Sequence, residues 1–170
     1  PMRSALRPFA GLLGAALIAL RARPTPLSLE GTVLRATLAD GSSLAGRQLS
    51  GRQLLIGTLP LRIKAVQEDP ITPGLFLYEM LQPSHSEGWA NICEPDARGE
   101  AWAIPLGGFL DEDGRFKPDA DRLTLTCTSG VIGKCLRAGY RFWTTGGVTD
   151  PHALQRFQAC TRLYRADYCG

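Results

Sequence analysis

Residues 127–170 read CTSGVIGKCLRAGYRFW (127–143), TTGGVTD (144–150) and PHALQRFQACTRLYRADYCG (151–170). Four of the five cysteines lie here, on two helix-like patterns joined by a glycine-rich turn. Thr128 and Ser129 are good N-cap types. Val131, Ile132, Cys135 and Leu136 then form one apolar stripe, and Gly139 sits where a helix stops. The second pattern is stronger. Asp150 can cap it, and Pro151 suits the first helical position, where a missing N–H leaves nothing unpaired. Ala153, Phe157, Cys160 and Tyr164 follow on one face, while Gln155, Arg156, Gln158, Arg162 and Arg165 cover most of the rest.

Both mid-helix cysteines, Cys135 and Cys160, therefore point inward. If the helices lie antiparallel, two nested bonds fit: Cys135 with Cys160 between the helices, and Cys127 with Cys169 at the open end. Local closure, Cys127 with Cys135 and Cys160 with Cys169, is the rival, and spacing alone does not choose between them. No C-x-x-C is present, and neither histidine stands at ligand-like spacing from a cysteine pair, so the sequence points to no metal and to no cofactor.

A chain of 170 residues with 44% hydrophobic and 21% charged residues can bury a real core as one domain, here residues 27–170. The formal charge of +3 misleads. Arg3, Arg7, Arg21 and Arg23 place +4 in residues 1–26, and the remainder is −1. That balance gives no footprint for nucleic acid. Arg3 and Arg7 precede an apolar run over 9–20, the pattern of a secretory signal or an N-terminal anchor. Maturation is expected near Arg23. Export and five cysteines agree, because disulfides persist outside the reducing cytosol. The expected location is periplasmic, cell-surface or extracellular.

After the Pro24–Pro26 break, Leu29, Leu34, Ala39, Leu44, Leu49 and Leu54 recur every five residues, with Gly31, Ala36, Gly41, Gly46 and Gly51 two places after the first five. Five matches neither the helix nor the strand period. The repeat resembles a short pentapeptide β-helix; the alternative is an antiparallel meander with turns at Asp40-Gly41 and Ser50-Gly51. Strands are expected around 59–66, with Leu61, Ile63 and Ala65 inward, and around 75–81, 102–106 and 123–126. DEDG (111–114) reads as a turn. The expected fold class is α+β: a β-rich portion over 27–92, then a cysteine-rich portion over 93–170 ending in a disulfide-stapled α-hairpin.

The ending RADYCG resembles the signature of the ADYC domain, a bacterial family named for the residues that stand here as Ala166, Asp167, Tyr168 and Cys169. CTSGVIGKC, the Gly139-Tyr140…Trp143 element and the Gln158-Ala159-Cys160…Arg162 helix are similar to the family's pattern, with Phe142 in place of a usual proline. Trp89…Cys93 and the Gly107-Gly108 turn fit more loosely, and the likeness runs from Leu27 to Gly170. It implies an exported protein of unknown function. It also implies a continuation past Gly170 with a further cysteine, which leaves Cys93 as the half without a partner.

Candidate chemistry is sparse. Ser129, His152 and Asp167 could form a hydrolase triad, but Ser129 serves as a cap and His152 stands at the far end of its helix. Cys93 with His85 could be a thiol and its base. Asp111, Glu112 and Asp113 could hold calcium, but the loop lacks the distal glutamate of an EF-hand. Asp167 reads as a structural partner for Arg137, Arg162 or Arg165, and Tyr168 as a packed ring with a bonded hydroxyl.

Charge divides along the chain: residues 127–170 hold six basic against two acidic residues, net +4, and residues 27–126 nine against fourteen, net −5. The two portions should attract each other. A basic helical face could also meet an anionic envelope component or protein. The expected role is an exported binding or structural module, with an extracytoplasmic enzyme as the alternative.

Overall fold

The structure, a computed structural model, describes residues 25–86, 88–144 and 146–166. Nearly all of the proposed leader, and Asp167, Tyr168 and Cys169 of the signature, lie outside them. Strands β1 (Leu27–Glu30), β2 (Val33–Thr37) and β3 (Ser43–Ala45) form a small antiparallel sheet. A 3₁₀ turn over Gly46–Leu49 leads to β4 (Gln53–Ile56), β5 (Leu59–Glu68), β6 (Phe76–Ser84), β7 (Gly88–Asn91), β8 (Ala103–Leu110) and β9 (Phe116–Cys127). These make a second sheet in the order β4-β5-β6-β8-β9, with β7 added to the end of β6. Helices α1 (Val131–Arg137) and α2 (Pro151–Arg165) follow. The α+β class therefore holds, and the strands before and after residue 92 share one sheet, where Tyr78 of β6 faces Ala103 of β8.

The five-residue repeat belongs to an antiparallel meander rather than to a coil of parallel strands. Leu29 faces Leu34 across β1–β2, and Ala36 faces Leu44 across β2–β3. Each leucine sits in a different element, so a turn resets the face between one and the next. Leu34, Leu49 and Leu54 are buried, Leu29 and Leu44 partly so, and Ala39 stands exposed in a turn. In β5 the alternation also shifts. A bulge between Ile63 and Ala65 turns Val66 inward in place of Ala65.

Neighbouring residues of β6 enter two different cores. Tyr78 and Met80 join Leu34, Leu49, Leu54, Leu61 and Ile63, the core shared with the small sheet. Leu77 joins Ile104, Leu106, Phe116, Ile132, Leu136, Phe142 and Phe157, the core shared with the helices. The large sheet is thus the middle layer. Tyr78 ties it to the first, because its hydroxyl accepts a 2.8 Å bond from the Leu34 N–H. Burial pushes that hydroxyl's pKa up to about 12, against the pull of the Leu34 bond.

Each core holds one disulfide. Cys135 and Cys160 join α1 to α2 with Cα atoms 5.9 Å apart. Cys127 is bonded to Cys93 at a Cα separation of 5.5 Å. This corrects two expectations, the Cys127–Cys169 bond and the unpartnered Cys93. The reason is that Cys127 is the last residue of β9, held in register opposite Ala103, so the sheet rather than the helices decides what it faces. Its sulfur lies 3.9 Å from the Ile92 carbonyl oxygen, beside the residue that bonds it.

The helix ends differ from each other. Asp150 caps α2 as its sequence suggests, accepting from the His152 and Ala153 N–H groups, and those bonds, Ala153 first, hold its carboxyl below the usual range. Helix α1 starts one residue later than Ser129 would place it, with Gly130 at the cap and no side-chain bond. Thr128 is instead buried, its hydroxyl 3.4 Å from both the Glu100 carbonyl oxygen and the Trp102 nitrogen. The inward stripe of α2 drifts as well: Thr161 is buried, whereas Tyr164 is 51% exposed.

Gly133 brings α1 against the end of β9, and a Cβ there would overlap the Cys127 carbonyl. Gly133→Ala should therefore lower stability by about 1–3 kcal/mol through overpacking, despite alanine's better helix propensity. Chemical denaturation checks this, and a stabilised variant would show that the contact can relax.

Candidate functional site

An ion cluster around Arg137, the last residue of α1, ties that helix to the segments that follow β5 and β7. Its Nε lies 2.9 Å from Asp69 Oδ2 and its Nη2 3.4 Å from Asp69 Oδ1, a forked pair. Its Nη1 reaches Asp96 Oδ2 at 3.1 Å and Glu100 Oε2 at 2.9 Å. The Asp69 side chain is fully buried and that of Arg137 is 10% exposed. Asp69 follows the end of β5, and its Oδ1 also accepts the Ile71 N–H. Asp96 and Glu100 come from the loop between β7 and β8, where Asp96 Oδ1 takes the N–H groups of Arg98 and Glu100. Thr72 completes the clasp by donating to the Arg137 carbonyl at 2.7 Å.

Burial works against a charged Asp96. The backbone bonds from Glu100 and Arg98 and the charge of Arg137 outweigh it, and its pKa lies below the usual carboxylate value. Burial likewise opposes the Arg137 charge, and its bonds to Asp69 and Glu100 reverse that, moving its pKa upward. The cluster is one cation of the basic portion meeting three acids of the acidic one. It explains part of the charge division as internal attraction. Of the three arginines weighed as partners of Asp167, Arg137 is thus engaged with Asp69, Asp96 and Glu100, while Asp167 itself lies outside the described residues.

One further cation of the basic portion, Arg162, joins Arg115 and Lys117 in lining an open groove of about 380 Å³ between α2 and the β8–β9 hairpin. Gln155, Gln158, Ala159 and Arg162 fall at i, i+3, i+4 and i+7, one helical face. Arg115 and Lys117 come from the hairpin, flanking buried Phe116 and so turned away from the core. The floor is fixed where Gln158 Nε2 donates to the Phe116 carbonyl at 3.1 Å.

The hairpin turn is built on Asp111, whose Oδ1 accepts the Arg115 N–H at 2.7 Å and whose Oδ2 lies 3.4 Å from Lys117 Nζ. The Arg115 bond is the main reason its pKa lies low. Asp113 sits 3.8 Å from Arg115, and both are exposed. Asp111 and Asp113 are therefore counter-ions and turn formers, which leaves no calcium loop in the sense weighed from the sequence. Exposed pairs of this kind hold their cations weakly. Arg162 has no carboxylate within ion-pair distance among the described residues. Three cations and two amides here can bind anionic oxygen.

The other candidates are not brought together. Among the described residues no hydrogen bond joins Ser129 to His152, and Asp167 lies outside them. The Cys93 thiol is consumed by its disulfide, so His85 has no nucleophile to activate. No group of three His, Cys, Asp or Glu among the described residues could hold a metal ion, and no described helix is long and apolar enough to cross a membrane.

A family model, the ADYC domain, matches residues 41–170. The chain belongs to the ADYC domain family. No curated protein and no solved structure matches it. In this ADYC domain the matched span begins at Gly41, in the turn before β3, and takes in both disulfides, the Arg137 cluster and the whole basic groove. Of its signature, Ala166 is described: it closes α2 in a left-handed conformation with φ of 56°.

Sequence reasoning found the helical half of the groove and missed Arg115 and Lys117. Their signal was present, two basic residues alternating around an inward phenylalanine. The Arg137 cluster had no local signal, because its partners lie 37 to 68 residues away.

Proposed function

We propose that this ADYC domain is an exported, disulfide-stabilised binding or structural module of the bacterial envelope, and that its ligand is anionic. The observation that carries the reading is the groove of Arg115, Lys117, Gln155, Gln158 and Arg162, which gathers cations from two elements around one floor. Guanidinium forks and amides match the oxygens of phosphate or carboxylate groups. Ala159 at the centre is too short to fill the groove. Two disulfides support export, since they persist in oxidising compartments. The basic and apolar pattern of residues 3–20 supports it too.

The test is retention on phosphocellulose, compared between two double variants of equal charge change. Arg115→Glu with Arg162→Glu removes groove cations; Arg47→Glu with Arg52→Glu removes exposed cations around the 3₁₀ turn before β4. The groove variant should elute at clearly lower salt than the control variant. Equal elution would mean that net charge alone binds the matrix, and the groove reading would fall.

A further inference from the structure

A second cleft, of about 310 Å³, lies where β1, the β8–β9 pair and the segment after α1 meet. Ser28, Leu29 and Gly31 form one wall, Gly107, Pro118 and Asp119 another, and Trp143, Gly147 and Thr149 the third. We propose that this cleft binds a neutral sugar residue.

Trp143 is the recognition surface. Its ring is braced edge-on by buried Phe142, with centroids 4.8 Å apart, and its backbone pairs with Thr149. The indole lies so close over Gly31 that a Cβ there would stand 2.6 Å from Nε1. Glycine at position 31, with φ of +60°, therefore lets the indole edge seat against the turn between β1 and β2. The indole N–H has no hydrogen-bond acceptor among the described residues, and it is not sealed from solvent. A fixed aromatic ring with a free donor at its edge suits a ligand that has an apolar face and hydroxyls around it.

The polar groups agree. Asp119 Oδ1 accepts the Asp121 N–H at 2.9 Å, and the other carboxylate oxygen has no donor. Ionised, it accepts only, and the hydroxyls that sugars offer are donors. Ser28 and Thr149 add hydroxyls without described partners. The lining includes no lysine or arginine, which selects against an anion. An organic ammonium would satisfy Asp119 alone. It carries no acceptor for the indole N–H or the two hydroxyls, so a polyol fits the whole set better. The volume stands at the lower end for small-molecule sites, which fits one sugar residue rather than a chain of them.

The experiment follows the indole N–H resonances of the ¹⁵N-labelled full chain by NMR. Glucose, N-acetylglucosamine and tetramethylammonium chloride are titrated separately, up to about 50 mM, a range suited to millimolar affinity. The Trp143 resonance should move saturably with at least one of the two sugars, while Trp89 and Trp102 stay in place. Asp119→Asn keeps an oxygen for the Asp121 N–H and should weaken the sugar response about 10-fold, as loss of a charged acceptor does. A Trp143 resonance that ignores both sugars, or that moves equally with tetramethylammonium, would overturn the proposal. So would an Asp119→Asn protein that keeps its spectral dispersion and binds as the wild type does.

Discussion

Replacing Arg137 with methionine should lower the stability of the domain by about 3–5 kcal/mol at pH 7, the usual cost of removing one partner from a buried charge cluster. Methionine preserves much of the side chain's bulk, so the loss reports charge rather than a cavity. Asp69 would be left fully buried with no cation, and Asp96 and Glu100 would face it across the vacated space.

The pH dependence separates this account from simple packing loss. In the wild type, Asp96 titrates below its unfolded value. Its contribution is therefore complete above the ordinary carboxylate pKa of about 4 and disappears as pH falls through the lower folded value. In Arg137→Met the acids lose their shared cation, so the deficit relative to wild type should be largest at neutral pH and shrink as pH falls below about 4. Urea denaturation at several pH values reads both slopes. A variant whose deficit stayed constant between acid and neutral pH would show that the cluster is not ionised as described.

The second large effect concerns the bond between the helices. Cys135 and Cys160 are 25 residues apart, and the loop-entropy relation gives about 3.5 kcal/mol for closing such a loop. Cys135→Ala with Cys160→Ala should lower the melting temperature by roughly 7–14 °C for a chain of this size. The Cys93–Cys127 loop, at a separation of 34, is worth nearly the same on entropy alone. The two differ in consequence. Opening the 135–160 bond frees α2 from α1, and α2 carries one wall of the basic groove, so phosphocellulose retention should weaken together with stability. Opening the 93–127 bond acts on the other core and should leave groove binding intact below the melting transition. Retention lost equally in both variants would argue against this division of labour.

How much of this the sequence disclosed depended on how local the cause was. Asp150 before Pro151, the inward cysteines of two amphipathic patterns and the DEDG turn are short-range chemistry, and each stands where its residues place it. The leucine period was visible but ambiguous, because five residues can be one side of a coil or one strand with its turn. Only the pairing of Leu29 with Leu34 decides between them. The partner of Cys127 was hidden because it depends on sheet register, which places the end of β9 beside the segment after β7. Phe116 illustrates the site. Its inward turn sends Arg115 and Lys117 outward, but that they line one groove with Arg162 follows only from where α2 docks, with Gln158 on the Phe116 carbonyl.

The most direct measurement of the fold is non-reducing peptide mapping of the protein purified under oxidising conditions. The two-core arrangement predicts one peptide pair joined through Cys93 and Cys127 and a second through Cys135 and Cys160. A pair joined through Cys127 and Cys169, with Cys93 recovered as a free thiol, would contradict it.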